Sequence, residues 1–247
     1  MLSLVQITDS HLFADPHGRL KGVSTLDSLQ ALIQHCQLRH PDPDLVLATG
    51  DLSHDGSAAS YRHFASALDC LSAPVLWIPG NHDDVSIMQR QLSGDNFSAE
   101  RCRQAQGWNI IMLDTAVSGE EWGFLSVEEL AFLDEMLANW PEYPALIGLH
   151  HPPVAVGSSW LDNIGLSNAD EFFDVLDRHR QVRTAVFGHV HQAFETRYRG
   201  IRLLASPSSC IQFKPNEDAF MLDDAPAGYR WLRLHESGRI ETGVDFA

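Results

Sequence analysis

Thr49-Gly50-Asp51-Leu52-Ser53-His54-Asp55-Gly56 is the stretch on which the fold of this 247-residue chain turns. It follows Leu45-Val46-Leu47-Ala48, an apolar run short enough to be a buried strand, so Asp51 is the first charged side chain beyond a strand end. One carboxylate in that place is ordinarily a turn or helix-capping residue. Repetition overturns that reading. Asp9-Ser10-His11 follows the run Leu2 to Ile7, and Gly80-Asn81-His82-Asp83 follows Val75 to Ile78. His150-His151 follows Ala145 to Leu149, and Gly188-His189-Val190-His191 follows Ala185 to Phe187. Strand ends that carry Asp, Asn and His again and again read as one metal site assembled from five loops.

The segments between these runs are helical in pattern. Ser24-Thr25-Leu26-Asp27 resembles a capping box with Asp in place of Glu, and Leu26, Leu29, Leu32, Ile33 and Cys36 continue it as an apolar face to about Arg39. Further helices are expected from Ala58 to Leu71, from Ser86 to Leu92, from the capping box Ser126-Val127-Glu128-Glu129 to Asn139, and after Asn168. Leu12 to Val23 reads as a loop, and Ser93 to Gln106 carries no decisive pattern. From Val182 onward strands dominate, with a hairpin turn at Ser237-Gly238. Strands alternating with helices over short connections predict an α/β fold, a single domain spanning residues 1–247, with two sheets packed between helices.

Composition narrows the partners. There are 33 Asp and Glu against 17 Lys and Arg, a formal net charge of −16. Such a surface repels a phosphate polymer, which argues against nucleic acid. A small phosphorylated substrate is compatible with it, because bound divalent cations reverse the sign locally. No apolar run approaches the roughly 20 residues that span a bilayer, and the N-terminus has no basic region followed by an apolar one. Cys36, Cys70, Cys102 and Cys210 form no C-x-x-C pair, and Cys36 and Cys70 are expected to be buried, reduced thiols. A cytoplasmic protein with no membrane partner is the expectation.

Asp, Asn and His offer oxygen and nitrogen ligands suited to Fe, Mn, Zn or Ni rather than to Ca. Asp9, His11, Asp51, Asn81, His150, His189 and His191 are too many for one tetrahedral ion and suit two ions sharing a bridge. A carboxylate is the natural bridge, since each oxygen can bind one ion. Two neighbouring metals stabilise both the attacking and the leaving oxygen of an in-line displacement at phosphorus.

The ordered set Asp9-x-His11, Gly50-Asp51, Gly80-Asn81-His82-Asp83, His150 and Gly188-His189-x-His191 resembles the calcineurin-like metallophosphoesterase superfamily. The stretches His11 to Asp15, Trp160 to Leu166, Ser206 to Phe213 and Ala227 to Trp231 are similar to bacterial class III 3′,5′-cyclic AMP phosphodiesterases. The resemblance implies a four-layer αββα sandwich, two divalent metal ions (Fe and Mn foremost, Zn or Ni compatible) and a cyclic-nucleotide substrate. It implies that Asp9, His11 and His191 hold one ion, that Asn81, His150 and His189 hold the other, and that Asp51 bridges them. His82 matches the family's catalytic histidine, and His11, Asn81, His82 and His191 would contact substrate. The reaction implied is attack of a metal-bridging hydroxide on phosphorus, opening 3′,5′-cyclic AMP to 5′-AMP. A broader diesterase acting on 2′,3′-cyclic nucleotides, or a non-catalytic scaffold of the same fold, is the alternative; relatives also suggest a homodimer. One departure stands out. Related phosphoprotein phosphatases place an orienting Asp three residues after the bridging one, where this chain has His54, and Asp55 is the candidate partner of His82. The loops Gly157 to Leu166 and Ser206 to Phe213 are the expected neighbours of base and ribose.

Overall fold

Parallel strands buried on both faces need near-continuous apolar sequence, and the runs before each polar cluster supply it. The computed structural model describes residues 1–94 and 96–247. In its first half lie β1 (Leu2–Ile7), β2 (Arg19–Leu20), β3 (Val23–Ser24), α1 (Thr25–Arg39), β4 (Leu45–Thr49), α2 (Ala58–Leu68), β5 (Val75–Ile78), α3 (Val85–Gln91), β6 (Phe97–Ser98), β7 (Cys102–Ala105) and β8 (Trp108–Met112). Then follow α4 (Val127–Asn139), β9 (Ala145–Gly148), α5 (Ser159–Asp162), α6 (Ala169–Leu176), β10 (Val182–Phe187), β11 (Phe194–Tyr198) and β12 (Ile201–Ala205). The last elements are β13 (Gln212–Phe213), β14 (Leu222–Asp223), β15 (Gly228–Leu234) and β16 (Ile240–Phe246).

One six-stranded sheet runs β16-β15-β1-β4-β5-β6 and a second runs β11-β12-β10-β9-β8-β7. Their inner faces meet through Leu4, Leu47, Leu76, Ile110, Leu146, Val186 and Leu204. The outer face of the first sheet packs on α1, α2 and α3 through Leu29, Leu32, Tyr61, Phe64 and Met88. The outer face of the second packs on α4 and α6 through Leu133, Leu137, Phe172 and Ile147. The expected four-layer αββα arrangement is the one observed. No helix among the described residues is long and apolar enough to cross a membrane.

Register brings the polar clusters together. β1, β4 and β5 are parallel, with Ile7 opposite Ala48 and Thr49 opposite Ile78. β9, β10 and β12 are parallel too, with Gly148 opposite Val186 and Phe187 opposite Ala205. Their carboxyl ends therefore open on one edge, the place where α/β sheets bind ligands. Buried Gln6 ties the sheets below that edge: its Nε2 donates to Thr49 Oγ1 (2.9 Å) in one sheet and to Phe187 O (3.1 Å) in the other. Gly188 sits so close to the tip of β1 that a Cβ there would collide with Thr8 Oγ1 and the Asp9 carboxylate.

Several local expectations need correction. Ser24 precedes α1 but its side chain makes no cap, whereas Ser126 Oγ accepts from Glu129 N–H as its capping box requires. The box is only half closed, because Glu129 turns to the Asp114 amide and to Arg101. Ser93 to Gln106 contributes the edge strands β6 and β7; residue 95 of that stretch lies outside the described residues. The loop Leu12 to Val23 ends in the small β2–β3 hairpin, and the loop Gly157 to Leu166 contains the single turn α5. α2 stops at Leu68, which leaves Cys70 exposed beyond it, while Cys36 is buried.

Gly188→Ala should destabilise the protein by about 1–3 kcal/mol through overpacking at the junction of the two sheets, measured by denaturant unfolding. Bound metal per chain should fall in the same variant, because the displaced atoms belong to the Asp9 loop.

Candidate active site

Left-handed backbone in non-glycine residues is uncommon and costs about 1–3 kcal/mol where it occurs. Here it marks the site. Asp9 (φ 54°), His11 (46°), Asp51 (51°), His189 (68°) and His191 (48°) all adopt it, each just beyond a strand end. The conformation breaks strand direction and turns consecutive side chains inward. Asp9 N–H donates to Gly50 O (3.0 Å) and His11 N–H to Asp51 O (2.9 Å), so the β1 and β4 loops travel as a pair. The carboxylates then reach across. His189 N–H donates to both oxygens of Asp9 (3.1 Å each), and His82 N–H donates to Asp51 Oδ1 (2.9 Å).

All seven expected ligand residues converge, in two groups. In the first, Asp9 Oδ1 lies 3.4 Å from His191 Nε2, and His11 Nε2 lies 3.2 Å from that same atom. In the second, Asn81 Oδ1 lies 3.3 Å from His150 Nε2 and 3.1 Å from His189 Nδ1. Asp51 stands between them, with Oδ2 3.7 Å from His11 Nε2 and Oδ1 3.6 Å from His150 Nε2.

The donor chemistry of these contacts calls for cations. His191 Nδ1 faces Ile211 O (2.8 Å) and His150 Nδ1 faces Thr49 O (2.8 Å). A carbonyl only accepts, so both Nδ1 atoms carry a proton. His191 Nε2 faces the donor group as a lone pair, whereas His150 Nε2 faces the oxygens of Asn81 and Asp51 and presents its lone pair only once it gives up a proton of its own. Burial would lower the His150 pKa, but Asp51 outweighs it and pushes the group up to about 9. Burial holds His11 and His189 down at about 3, so both stay neutral. Burial alone would raise Asp9 and Asp51; facing histidines instead hold both below the usual carboxylate range. His189 Nε2 is buried without a hydrogen-bond partner. Ionised carboxylates against converging imidazole lone pairs fit divalent metal ions.

Other residues brace this arrangement; Asp83, His151, Ser208 and Ser209 lie in the quoted motifs, which assign them no such part. Asp83 accepts from the amides of Gly80 (2.9 Å), Ser53 (3.0 Å) and Leu52 (3.2 Å) and from the Tyr61 hydroxyl (3.1 Å), clasping the Asp51 and Asn81 loops together. Ser208 Oγ donates to Asp9 O (2.7 Å) and Ser209 N–H to Thr8 O (3.0 Å). Thr115 Oγ1 holds His151 Nδ1 at 2.8 Å, which makes His151 a buried neighbour of His150 and His189. Asp55 does not reach the site. Its oxygens accept from Ala14 N–H (2.8 Å), Ser57 N–H (3.0 Å) and Ser53 Oγ (3.2 Å), so it caps its own turn, and among the described residues it makes no hydrogen bond to His82.

A family model, calcineurin-like phosphoesterase, matches residues 2–193. The chain belongs to the calcineurin-like phosphoesterase family. The matched span contains every one of the converging residues above. A protein named 3′,5′-cyclic adenosine monophosphate phosphodiesterase CpdA in Pseudomonas aeruginosa is 42% identical over 98% of this chain and 88% of its own length. The proteins of the same name in Vibrio vulnificus and Escherichia coli K12 are 43% and 42% identical, covering 98% of this chain and 89% and 88% of their own lengths. Among solved structures, a dimetal phosphatase from Danio rerio superposes with a TM-score of 0.67 at 17% identity over 94% of each chain. A purple acid phosphatase from yellow lupin seeds does so with a TM-score of 0.67 at 14% identity, over 94% of this chain and 49% of its own. These two likenesses show the fold.

Two openings flank His82 of this phosphoesterase. A narrow slot of about 130 Å³ runs over His11, Asp51, Asn81, His189 and His191 and is walled by Trp160, Leu161, Ile164 and Phe213, all from the two loops expected near substrate. Phe213 stacks flat on His191 (4.0 Å, 9°), and Trp160 meets Phe213 edge-on at 5.1 Å. Among the described residues Trp160 Nε1 has no hydrogen-bond partner. On the other side a wider, polar cleft of about 840 Å³ is lined by His54, Asn81, His82, Asp84 and Val117 to Gly119.

Burial, with Asp51 nearby, pushes the Asp83 carboxyl up from 3.8 to about 6. Between those pH values the folded protein keeps a proton that the unfolded chain has lost, so stability carried by this group is lost as pH rises from about 4 through about 6. In chelator-treated protein, the stability of the parent relative to Asp83→Asn should fall over that interval and be level above it. A pH-independent difference in denaturant midpoints would contradict the assignment.

Proposed function

We propose that this protein is a dinuclear-metal phosphodiesterase that hydrolyses 3′,5′-cyclic AMP to 5′-AMP. The observation that carries the chemistry is the pair of donor groups joined by Asp51, whose lone pairs need cations between them. The substrate rests on the name carried by relatives that are 42–43% identical over 98% of the chain. Asp9, His11 and His191 would hold one ion and Asn81, His150 and His189 the other, with Asp51 between. Iron and manganese come first, with zinc and nickel compatible with the same donors. Two divalent ions there supply Lewis-acid polarisation of the phosphodiester and bring the pKa of water towards neutrality.

The chain's own residues do the rest. His82 makes no side-chain hydrogen bond among the described residues, and its ring stands on the wall shared by slot and cleft. From there a protonated His82 delivers its proton to the departing 3′ oxygen as the P–O3′ bond breaks, help worth roughly 10²–10⁴-fold. The slot takes the nucleobase. Aromatic walls offer a stacking surface to any base, and Trp160 Nε1–H is an unused donor for the nucleotide. Purified, metal-loaded protein should turn over 3′,5′-cyclic AMP in preference to 2′,3′-cyclic AMP and bis(p-nitrophenyl) phosphate; turnover of the latter two alone would make it a general diesterase.

Asp51→Ala should lose activity and bound metal together; retention of both metals would remove Asp51 from the bridge. His82→Ala should keep both metals and lose at least about 10²-fold in kcat. Trp160→Ala should raise KM for 3′,5′-cyclic AMP by about tenfold, while leaving bis(p-nitrophenyl) phosphate, which carries no base, within about threefold.

A further inference from the structure

We infer that His54 is a positioning residue with two duties: its Nδ1 accepts the proton that fixes the tautomer of His11, and its ring face carries His82. The inference rests on the reading that His11 binds metal and that His82 faces substrate. The neighbouring Asp55 is turned away into its own loop, where it accepts from Ala14 N–H and Ser57 N–H.

The first duty follows from hydrogen-bond direction. His11 Nε2 points into the donor group, 3.2 Å from His191 Nε2 and 3.7 Å from Asp51 Oδ2. The His191 atom is a lone pair, because His191 Nδ1 donates to Ile211 O. Without a cation, His11 Nε2–H would donate to that lone pair; with a cation between them His11 must offer a lone pair as well, and its proton must then sit on Nδ1. That atom lies 3.3 Å from His54 Nδ1. His54 Nδ1 is therefore the acceptor, and His54 keeps its own proton on Nε2. The two rings cannot drift apart, since His54 N–H donates to Leu12 O (2.8 Å) and Leu12 N–H to Leu52 O (3.1 Å), binding the loops that carry them.

The second duty follows from ring geometry. The rings of His54 and His82 are nearly parallel, 22° apart with centroids at 4.8 Å. Phe13 also packs on His54, at 4.8 Å, so the ring is held by more than its hydrogen bond. Among the described residues no carboxylate hydrogen-bonds the His82 ring, and the His54 face restricts how its imidazole can turn. An imidazole also performs the accepting role without adding a third negative charge beside Asp9 and Asp51.

The duties separate by substitution. His54→Asn keeps an acceptor close to the place of Nδ1 and loses the ring; His54→Phe keeps the ring and loses the acceptor. The first readout is ¹⁵N–¹H correlation spectra of the imidazoles in zinc-loaded protein. The His11 Nδ1–H should be protected from exchange with water in the parent and in His54→Asn, and should exchange at least about tenfold faster in His54→Phe. Titration with manganese should find affinity weakened about 10–100-fold in His54→Phe and restored to within about threefold of the parent in His54→Asn. At saturating metal the order should invert, with His54→Asn losing kcat at nearly constant KM and His54→Phe retaining it. His54→Gln serves as a second acceptor variant should the shorter side chain unsettle the loop. A His11 Nδ1–H equally protected in His54→Phe would overturn the first duty, and parental kcat in His54→Asn the second. A parent that binds metal but does not cleave 3′,5′-cyclic AMP would refute the proposed substrate, leaving the proton-exchange and affinity results to judge His54.

Discussion

Two buried carboxylates hold the active edge of this protein in a backbone conformation it would not otherwise keep. Asp9 accepts the His189 amide with both oxygens, and Asp51 accepts the His82 amide. Each therefore fastens the main chain of a different strand end while its remaining lone pairs face the imidazoles. The residues so fastened include left-handed non-glycine positions, which persist only where surrounding structure over-determines them. Removing either carboxylate would loosen the loops as well as delete a ligand.

That arrangement demands two sheets held in fixed relation, because the candidate ligands are divided between them. Asp9, His11, Asp51 and Asn81 follow strands of one sheet; His150, His189 and His191 follow strands of the other. An apolar interface alone would let the sheets slide. Gln6 pins them near the site, and buried Arg230, opposite Gln6 on β15, pins them one strand across at the same level, donating to Ala205 O on β12. Burial lowers the Arg230 pKa to about 10, so it remains charged in the interior and its donors are matched to carbonyls. Such buried polar links are directional, and direction is what apolar packing lacks.

The electrostatics of the site have one source. Asp9 and Asp51 put two negative charges in a buried space, and His150, raised to about 9, supplies a positive charge against them. A divalent ion answers the same field more fully. Metal binding and His150 protonation are therefore competing solutions to one charge problem, and binding should release a proton.

The elements and the candidate donors that converge were legible in the sequence because both depend on local pattern. Apolar runs of four to six residues fix the buried strands, and the polar cluster after each run names its donors. The start of α1 held at Ser24 although its side chain makes no cap, and a boundary that moved is the end of α2, at Leu68 instead of Leu71. Asp55 was misplaced as well. A carboxylate one position from the expected one is visible in sequence, but the turn through Gly56 and Ser57 decides which side chain faces inward, and it chose His54. The clasp at Asp83, the Gln6 and Arg230 pins and the Trp160–Phe213 slot join residues about 30 to 180 positions apart. The sequence by itself determined which chemistry the strand ends could perform, since ligand atoms belong to residue types. Only the tertiary structure decided which lone pairs meet, which tautomer each histidine needs and which neighbour stands against His82, because those depend on directions that no linear pattern records.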